Sequence, residues 1–216
     1  MAELTEDPHR AARLVLALRQ QGVMSSPVLK VMEAVDRADF APEGSGGLAF
    51  EDTSIPIGCG QTMLPPAVLA QLLAAVRFED EAGGRTLIIG TGSGYSTALC
   101  AELSEEVISL ERHASLAEAA AKRLEGRGLR TVKVLHGDGL GALPVTGPFD
   151  RIVLMGTVED VPMSLVKALS PKGRLSAPVM HDGHARIEIH TPDGVESGPS
   201  LDRVLTPLRP GVAHLL

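Results

Sequence analysis

The sequence predicts an α/β fold: a Rossmann-like, doubly wound and mostly parallel sheet, with N-terminal helices and an antiparallel C-terminal tail. Three observations carry that prediction. From Arg85 onward, short apolar runs alternate with segments of helical period. The first such run, "TLIIG", meets the alternate glycines Gly90, Gly92 and Gly94 just before a helical segment opens. Beyond residue 174 the helical segments stop, and apolar runs are joined by the turns "HDGH" and "PDG".

The elements follow in order. Residues 10–22 (RAARLVLALRQQG) carry apolar side chains at helical spacing and end in glycine, which reads as a helix with its C-terminal cap. Ser26 as N-cap and Pro27 at the first helical position predict a second helix, ending before Pro42. Residues 41–63 are rich in Gly and Pro yet too apolar for a linker, so they read as a functional loop, and the stretch 43–64 would be a natural lid. A helix is expected over 65–78. Strands then fall at 86–90, 106–111, 131–139 and 149–156, with helices at 95–104 and 115–128. A further helix from Met163 is expected to stop at Pro171 and Gly173, and late strands are expected at 174–180, 185–191 and 202–208. No repeat is visible, and the whole chain, 1–216, reads as one domain: a helical extension with the lid over 1–80 and the Rossmann-like core over 81–216.

Composition narrows the function. A length of 216 residues with 44% hydrophobic content suffices for one sizeable core. The formal net charge of −7 argues against nucleic acid as a partner, and a single Tyr, four Phe and no Trp argue against base-stacking platforms. Two cysteines, Cys59 and Cys100, are too few for a disulfide framework and suit a reducing cytoplasm. The opening "MAELTEDPHR" is acidic and polar, unlike a secretory leader, and no apolar stretch approaches the ~18 residues of a membrane span.

The spacing G-x-G-x-G places Tyr95 where a dinucleotide fingerprint has its third glycine, so the turn suits a nucleoside without a pyrophosphate. A tight strand-to-helix turn that binds nothing has the same spacing. Two acids in series add to the ligand reading. Glu111 ends the next strand about twenty residues on, where a carboxylate can accept both ribose hydroxyls. Asp138 follows the third strand, where it can accept from an exocyclic adenine amine or simply cap an Asp-Gly turn. Together the three predict an adenosine held across the carboxyl ends of successive strands.

With these residues in view, the chain resembles the protein-L-isoaspartate O-methyltransferases. "LAFEDTSIPIGCGQTM" is similar to the family's signature loop and "IGTGSGY" to its first S-adenosylmethionine (SAM) motif. "VISLER", "GDGLGALPVTGPFDRIV" and "LSPKGRLSAPV" resemble later motifs, so the likeness runs from about Pro27 to the C-terminus. The resemblance implies a SAM-dependent methyltransferase fold, SAM as cofactor, and methyl transfer to the α-carboxylate of isoaspartyl residues in damaged proteins or peptides. It implies cofactor-binding roles for Gly90, Thr91, Gly92, Ser93, Gly94, Tyr95, Glu111, Arg112, Asp138 and Gly139. Gln61 and Thr62 would fix substrate and cofactor, with Leu64 and Cys59 in the substrate pocket. Such a reaction needs alignment and exclusion of water more than a general base, since a carboxylate is already ionised at neutral pH.

Two positions depart from the family pattern. Leu64 stands where the family has a serine, and Ile88 where it has an acid before the glycine turn. The first leaves open a methyltransferase acting on a different acid. The second leaves open a nucleoside-binding interaction domain without catalysis, and predicts weak SAM binding, because an acid there would oppose the cationic methionyl end. "VLMGTVEDVP" also differs from the small residues and Pro-Glu step usual there. His181, His184 and His190 flank turns without the close grouping of a zinc site, so no metal is expected. The basic run over 122–130 reads as a solvated helix end complementing its dipole.

Overall fold

The computed structural model describes residues 9–79 and 83–213. Helices α1 (Arg10–Gln20) and α2 (Ser26–Ala34) lead into a hairpin, β1 (Ile55–Gly58) and β2 (Gln61–Met63), and helix α3 (Pro66–Ala75). Then come β3 (Arg85–Ile89), α4 (Tyr95–Ala101), β4 (Glu106–Glu111), α5 (Ala114–Gly126), β5 (Val132–His136) and β6 (Phe149–Leu154). The remaining elements are α6 (Met163–Lys167), β7 (Leu169–His181), β8 (His184–Thr191) and β9 (Gly194–Leu201).

Strands β3–β9 form one seven-stranded sheet in the order β5-β4-β3-β6-β7-β8-β9. Pairing is parallel from β5 to β7 and antiparallel from β7 to β9. The chain winds outward from β3 to β5, then returns to the other side of β3 as β6. The order therefore reverses between β3 and β6, which opens a crevice beyond their carboxyl ends.

Alternation along the central strands explains why the sheet is buried on both faces. Leu87 and Ile89 of β3 join Ile108, Leu110, Ile152 and Leu154 in one apolar cluster. Ile88, Val107 and Val153 point into the other, which also takes the apolar faces of α1–α4. Helix α3 is held to the sheet by polar ties as well: Ser176 Oγ donates to Leu72 O at 2.9 Å and Arg174 Nε to Ala75 O at 3.0 Å. The part of the chain read as an extension thus covers one face of the sheet. The expected boundary at 80/81 lies outside the described residues, as do residues 1–8 with the opening stretch.

Several boundaries differ from expectation, each for a physical reason. Gly22 sits just past α1 with φ +88°, as a glycine cap should, but the N-cap of α2 is Ser25, not Ser26. Helix α2 ends at Ala34 because Asp36 accepts from Ala38 N at 2.7 Å and starts a separate 3-10 turn, Arg37–Phe40. Helix α6 stops at Lys167: Phe149 N donates to Ala168 O at 2.8 Å and draws the following residues, Pro171 and Gly173 included, into β7. Among the described residues the last strand is β9, not residues 202–208. As an edge strand β9 tolerates Gly198 and Pro199, and its register against β8 shifts there. Residues 202–208 instead cross the sheet's end irregularly, with Val204 97% exposed. No helix among the described residues is long and apolar enough to cross a membrane.

Candidate active site

The glycine turn lies at the switch point. Gly90, Gly92 and Gly94 all have positive φ (93°, 54° and 92°), a backbone that L side chains rarely adopt. The turn is fastened to β4 from both chain levels. Gly90 N and Thr91 N donate to Leu110 O at 2.8 and 3.2 Å. Buried Ser109 Oγ meets Thr91 Oγ1 at 2.6 Å and Thr97 Oγ1 at 3.0 Å. Arg123 of α5 donates to Ser93 O at 2.6 Å. The basic run is therefore not merely solvated: Arg123 anchors the turn, and Arg127 lies over the Phe40 ring and pairs with Asp39.

Glu111 stands beside the turn as expected, 4% exposed. Its carboxylate accepts from Gly92 N at 2.9 Å and His113 N at 3.0 Å, one bond to each oxygen. An ionised carboxylate has about four acceptor sites, so both oxygens retain capacity for ribose hydroxyls. Asp138 is engaged more fully. It accepts from Leu140 N and Gly211 N, both at 2.8 Å. Burial pushes its pKa up, but the N–H groups of Gly211, Leu140 and Gly141 and the charge of Arg112 outweigh that and hold it below the usual carboxylate range. Arg112 Nε donates to Gly211 O at 3.0 Å, and Ala213 N donates to Arg112 O at 2.9 Å. A C-terminal strap thus crosses the carboxyl ends of β4 and β5. Gly139 has a packing reason to be glycine: a Cβ there would stand 2.6 Å from Ile89 Cγ2.

The lid is a hairpin rather than an open loop. Its turn, Gly58-Cys59-Gly60, has three consecutive positive φ values (99°, 52° and 66°), which bend the chain back on itself. Ile57 reaches over the glycine turn, since a Cβ on Gly92 would lie 3.1 Å from Ile57 Cδ1. Thr62 and Leu64 meet Gly90–Ser93 and Met155 around one cavity of about 40 Å³, and every residue lining it is uncharged. The structure does not bring Gln61 or Cys59 into that lining. Gln61 Nε2 donates to Cys59 O at 3.2 Å, and Cys59 Sγ lies 3.5 Å from Ser115 Oγ in the first turn of α5. Ile88 is fully buried in the apolar cluster beneath the turn and does not line the cavity.

Sequence reasoning missed three residues that hold this site. Arg37 lies beneath the lid, Ser109 ties the turn to β4, and Thr206 Oγ1 stands 3.1 Å from Thr62 Oγ1. Ser109 could have been found from its place on the strand beside the turn, alternating with Leu110. Among the described residues no group of three or more His, Cys, Asp or Glu side chains could hold a metal; His181 and His190 both pair with Glu188, at 2.9 and 2.8 Å.

A glycine turn at the switch point of a parallel sheet, with a buried carboxylate on the next strand, defines a Rossmann-like protein equipped to hold a nucleoside. The comparisons with known proteins name the family. The model of the protein-L-isoaspartate(D-aspartate) O-methyltransferases matches residues 9–196. A Bradyrhizobium sp. (strain ORS 278) protein-L-isoaspartate O-methyltransferase is 37% identical over 204 residues, 93% of this chain and 94% of that one. A protein-L-isoaspartate O-methyltransferase of Rhodospirillum rubrum is 40% identical over 180 residues, covering 83% and 81%. In three dimensions the chain is similar to a Plasmodium falciparum protein assigned to the same methyltransferases and crystallised with S-adenosyl-L-homocysteine. That match has a TM-score of 0.78 at 24% identity and covers 94% of this chain and 99% of that one. The fold is that of the SAM-dependent methyltransferases. The chain belongs to the protein-L-isoaspartate(D-aspartate) O-methyltransferase family.

Proposed function

We propose that this chain is a SAM-dependent carboxyl methyltransferase that acts on isoaspartyl residues of proteins and peptides. The observation that carries this reading is the single cavity joining Thr62 and Leu64 of the lid to Gly90–Ser93 of the glycine turn. Transfer of a methyl group needs such a cavity, with the acceptor on the lid side and the methionyl end of the cofactor on the turn side.

The residues suit the cofactor in chemistry: an open backbone turn for the methionyl end, and Glu111 for the ribose hydroxyls. Arg112, Asp138 and Gly139 would border the adenine, with Asp138 acting as part of the wall because backbone N–H groups already fill much of its capacity. At about 40 Å³ the cavity is far below the ~300 Å³ at which small-molecule sites begin. When bound, SAM would supply a methyl group on a sulfonium, activated for transfer to a carboxylate oxygen with the thioether sulfur as leaving group.

The chain's own groups then have limited tasks. Thr62 donates a hydrogen bond to the acceptor carboxylate, and Gln61 stiffens the hairpin that carries it. Leu64, Met155 and Leu69 exclude water from the carboxylate oxygen, which is a poor nucleophile when hydrated. The uncharged lining puts no cation on that oxygen, so its charge stays available for attack. Calorimetric titration with S-adenosyl-L-homocysteine tests the cofactor half. The unaltered protein should bind, and Glu111→Ala should weaken binding about tenfold or more, as loss of charge-assisted bonds implies. Absence of heat and of thermal stabilisation in the unaltered protein would sink the proposal.

A further inference from the structure

Resting on that reading, we infer that Thr206 binds the acceptor carboxylate together with Thr62 and supplies the hydroxyl that position 64 lacks. Thr62 lines the cavity, and Thr206 Oγ1 lies 3.1 Å from Thr62 Oγ1 although 144 residues separate them. Thr206 is not a passing surface residue. Its carbonyl accepts from Thr157 N at 3.2 Å, and two residues on Leu208 N donates to Thr157 O at 2.8 Å. Leu205, just before it, is buried in the core. Gly156 lets this backbone come close, since a Cβ there would be 2.5 Å from Thr206 O. The half-buried Thr206 side chain is thereby fixed at the lid's edge, on the crevice side of β6.

Two hydroxyls have two protons, and a bond between them uses one. The other proton is available to an incoming acceptor. A carboxylate arriving beside the pair gives each hydroxyl its own oxygen to donate to. Leu64, whose side chain lines the same cavity, offers no donor. A neutral pair also suits the reaction better than an arginine would. The anion loses charge as it becomes an ester, so a cation would stabilise the ground state more than the transition state.

Initial rates with an isoaspartyl peptide at saturating SAM test the inference, alongside S-adenosyl-L-homocysteine titration of each variant. Thr206→Val should raise the peptide KM about tenfold or more, the effect of one lost hydrogen bond to a charged acceptor, while kcat and S-adenosyl-L-homocysteine affinity stay within about twofold. Thr206→Ser keeps the hydroxyl and should recover most of that loss. Adding Leu64→Ser to Thr206→Val should lower the peptide KM again, because a hydroxyl at position 64, which lines the cavity, replaces the lost donor. A Thr206→Val protein with an unchanged peptide KM overturns the inference alone. So does one whose product affinity and melting temperature fall along with its activity. An unaltered protein that binds the product but methylates no isoaspartyl peptide overturns the functional reading, and the inference with it.

Discussion

Replacing Arg37 by methionine removes the only charged group under the lid among the described residues that is itself fully buried, at 1% exposure. Its guanidinium donates to Ala49 O at 2.8 Å, Leu64 O at 3.0 Å, Thr53 O at 3.2 Å and Leu48 O at 3.4 Å. These carbonyls lie before and after the β1–β2 hairpin, so one side chain gathers both ends of the lid. The two shortest bonds are buried, and each orphaned carbonyl costs about 1–3 kcal/mol. Against this, methionine of similar length escapes the desolvation that pushes the Arg37 pKa down. The net loss should be about 2–4 kcal/mol, or roughly 5–15 °C in melting temperature for a chain of this size. Arg37→Lys should fall between the two, since a point charge cannot reach four carbonyls at once. Hydrogen exchange over 48–64, measured well below the transition, separates lid loosening from global loss. A methionine variant that melts within about 1 °C of the unaltered protein, with unchanged exchange in the lid, would refute this reasoning.

Two further outcomes follow from the site. Ile88→Glu should lower the melting temperature without ligand, because a carboxylate among fully buried apolar side chains costs several kcal/mol unless paired. It should not tighten S-adenosyl-L-homocysteine binding, since position 88 does not line the cavity; tighter binding in a titration would show that the acid reaches the crevice after all. Asp138 has a depressed folded pKa, so its contribution to stability is complete above the unfolded value near ~3.9 and disappears as pH falls through the folded one. Asp138→Asn should be less stable at neutral pH and lose less below about pH 4; parallel urea-midpoint curves for both proteins would contradict this.

The parts of this molecule that were legible in the sequence are those whose cause is local. The parallel core could be read because β3 and β4 are short apolar runs bounded by turns, and the glycine turn because its three positive-φ positions accept few other residues. Glu111 was legible from its distance to that turn. Cys59 and Gln61 share the hairpin with Thr62, yet neither lines the cavity: Gln61 bonds to Cys59 O and Cys59 meets Ser115, contacts that spacing alone does not reveal. The Arg37 clamp depends on partners 11 to 27 residues away, and the Thr62–Thr206 pair on two segments 144 residues apart. Strand β9 was hidden because its Gly-Pro step reads as a turn, and only its place at the sheet's edge makes that step acceptable. The pattern over 202–208 looked like a strand because Val204, Leu205 and Leu208 are apolar, but these residues face different surroundings.

The central claim, that the lid and the glycine turn together transfer a methyl group to an isoaspartyl carboxylate, is tested most directly by following labelled methyl from SAM into two peptides of identical sequence. One contains an isoaspartyl linkage and the other the ordinary aspartyl linkage. We predict base-labile label in the isoaspartyl peptide at a rate well above that in its isomer, and loss of that label when Thr62 is replaced by valine. Equal labelling of both peptides, or labelling of neither by a protein that binds S-adenosyl-L-homocysteine, would contradict it.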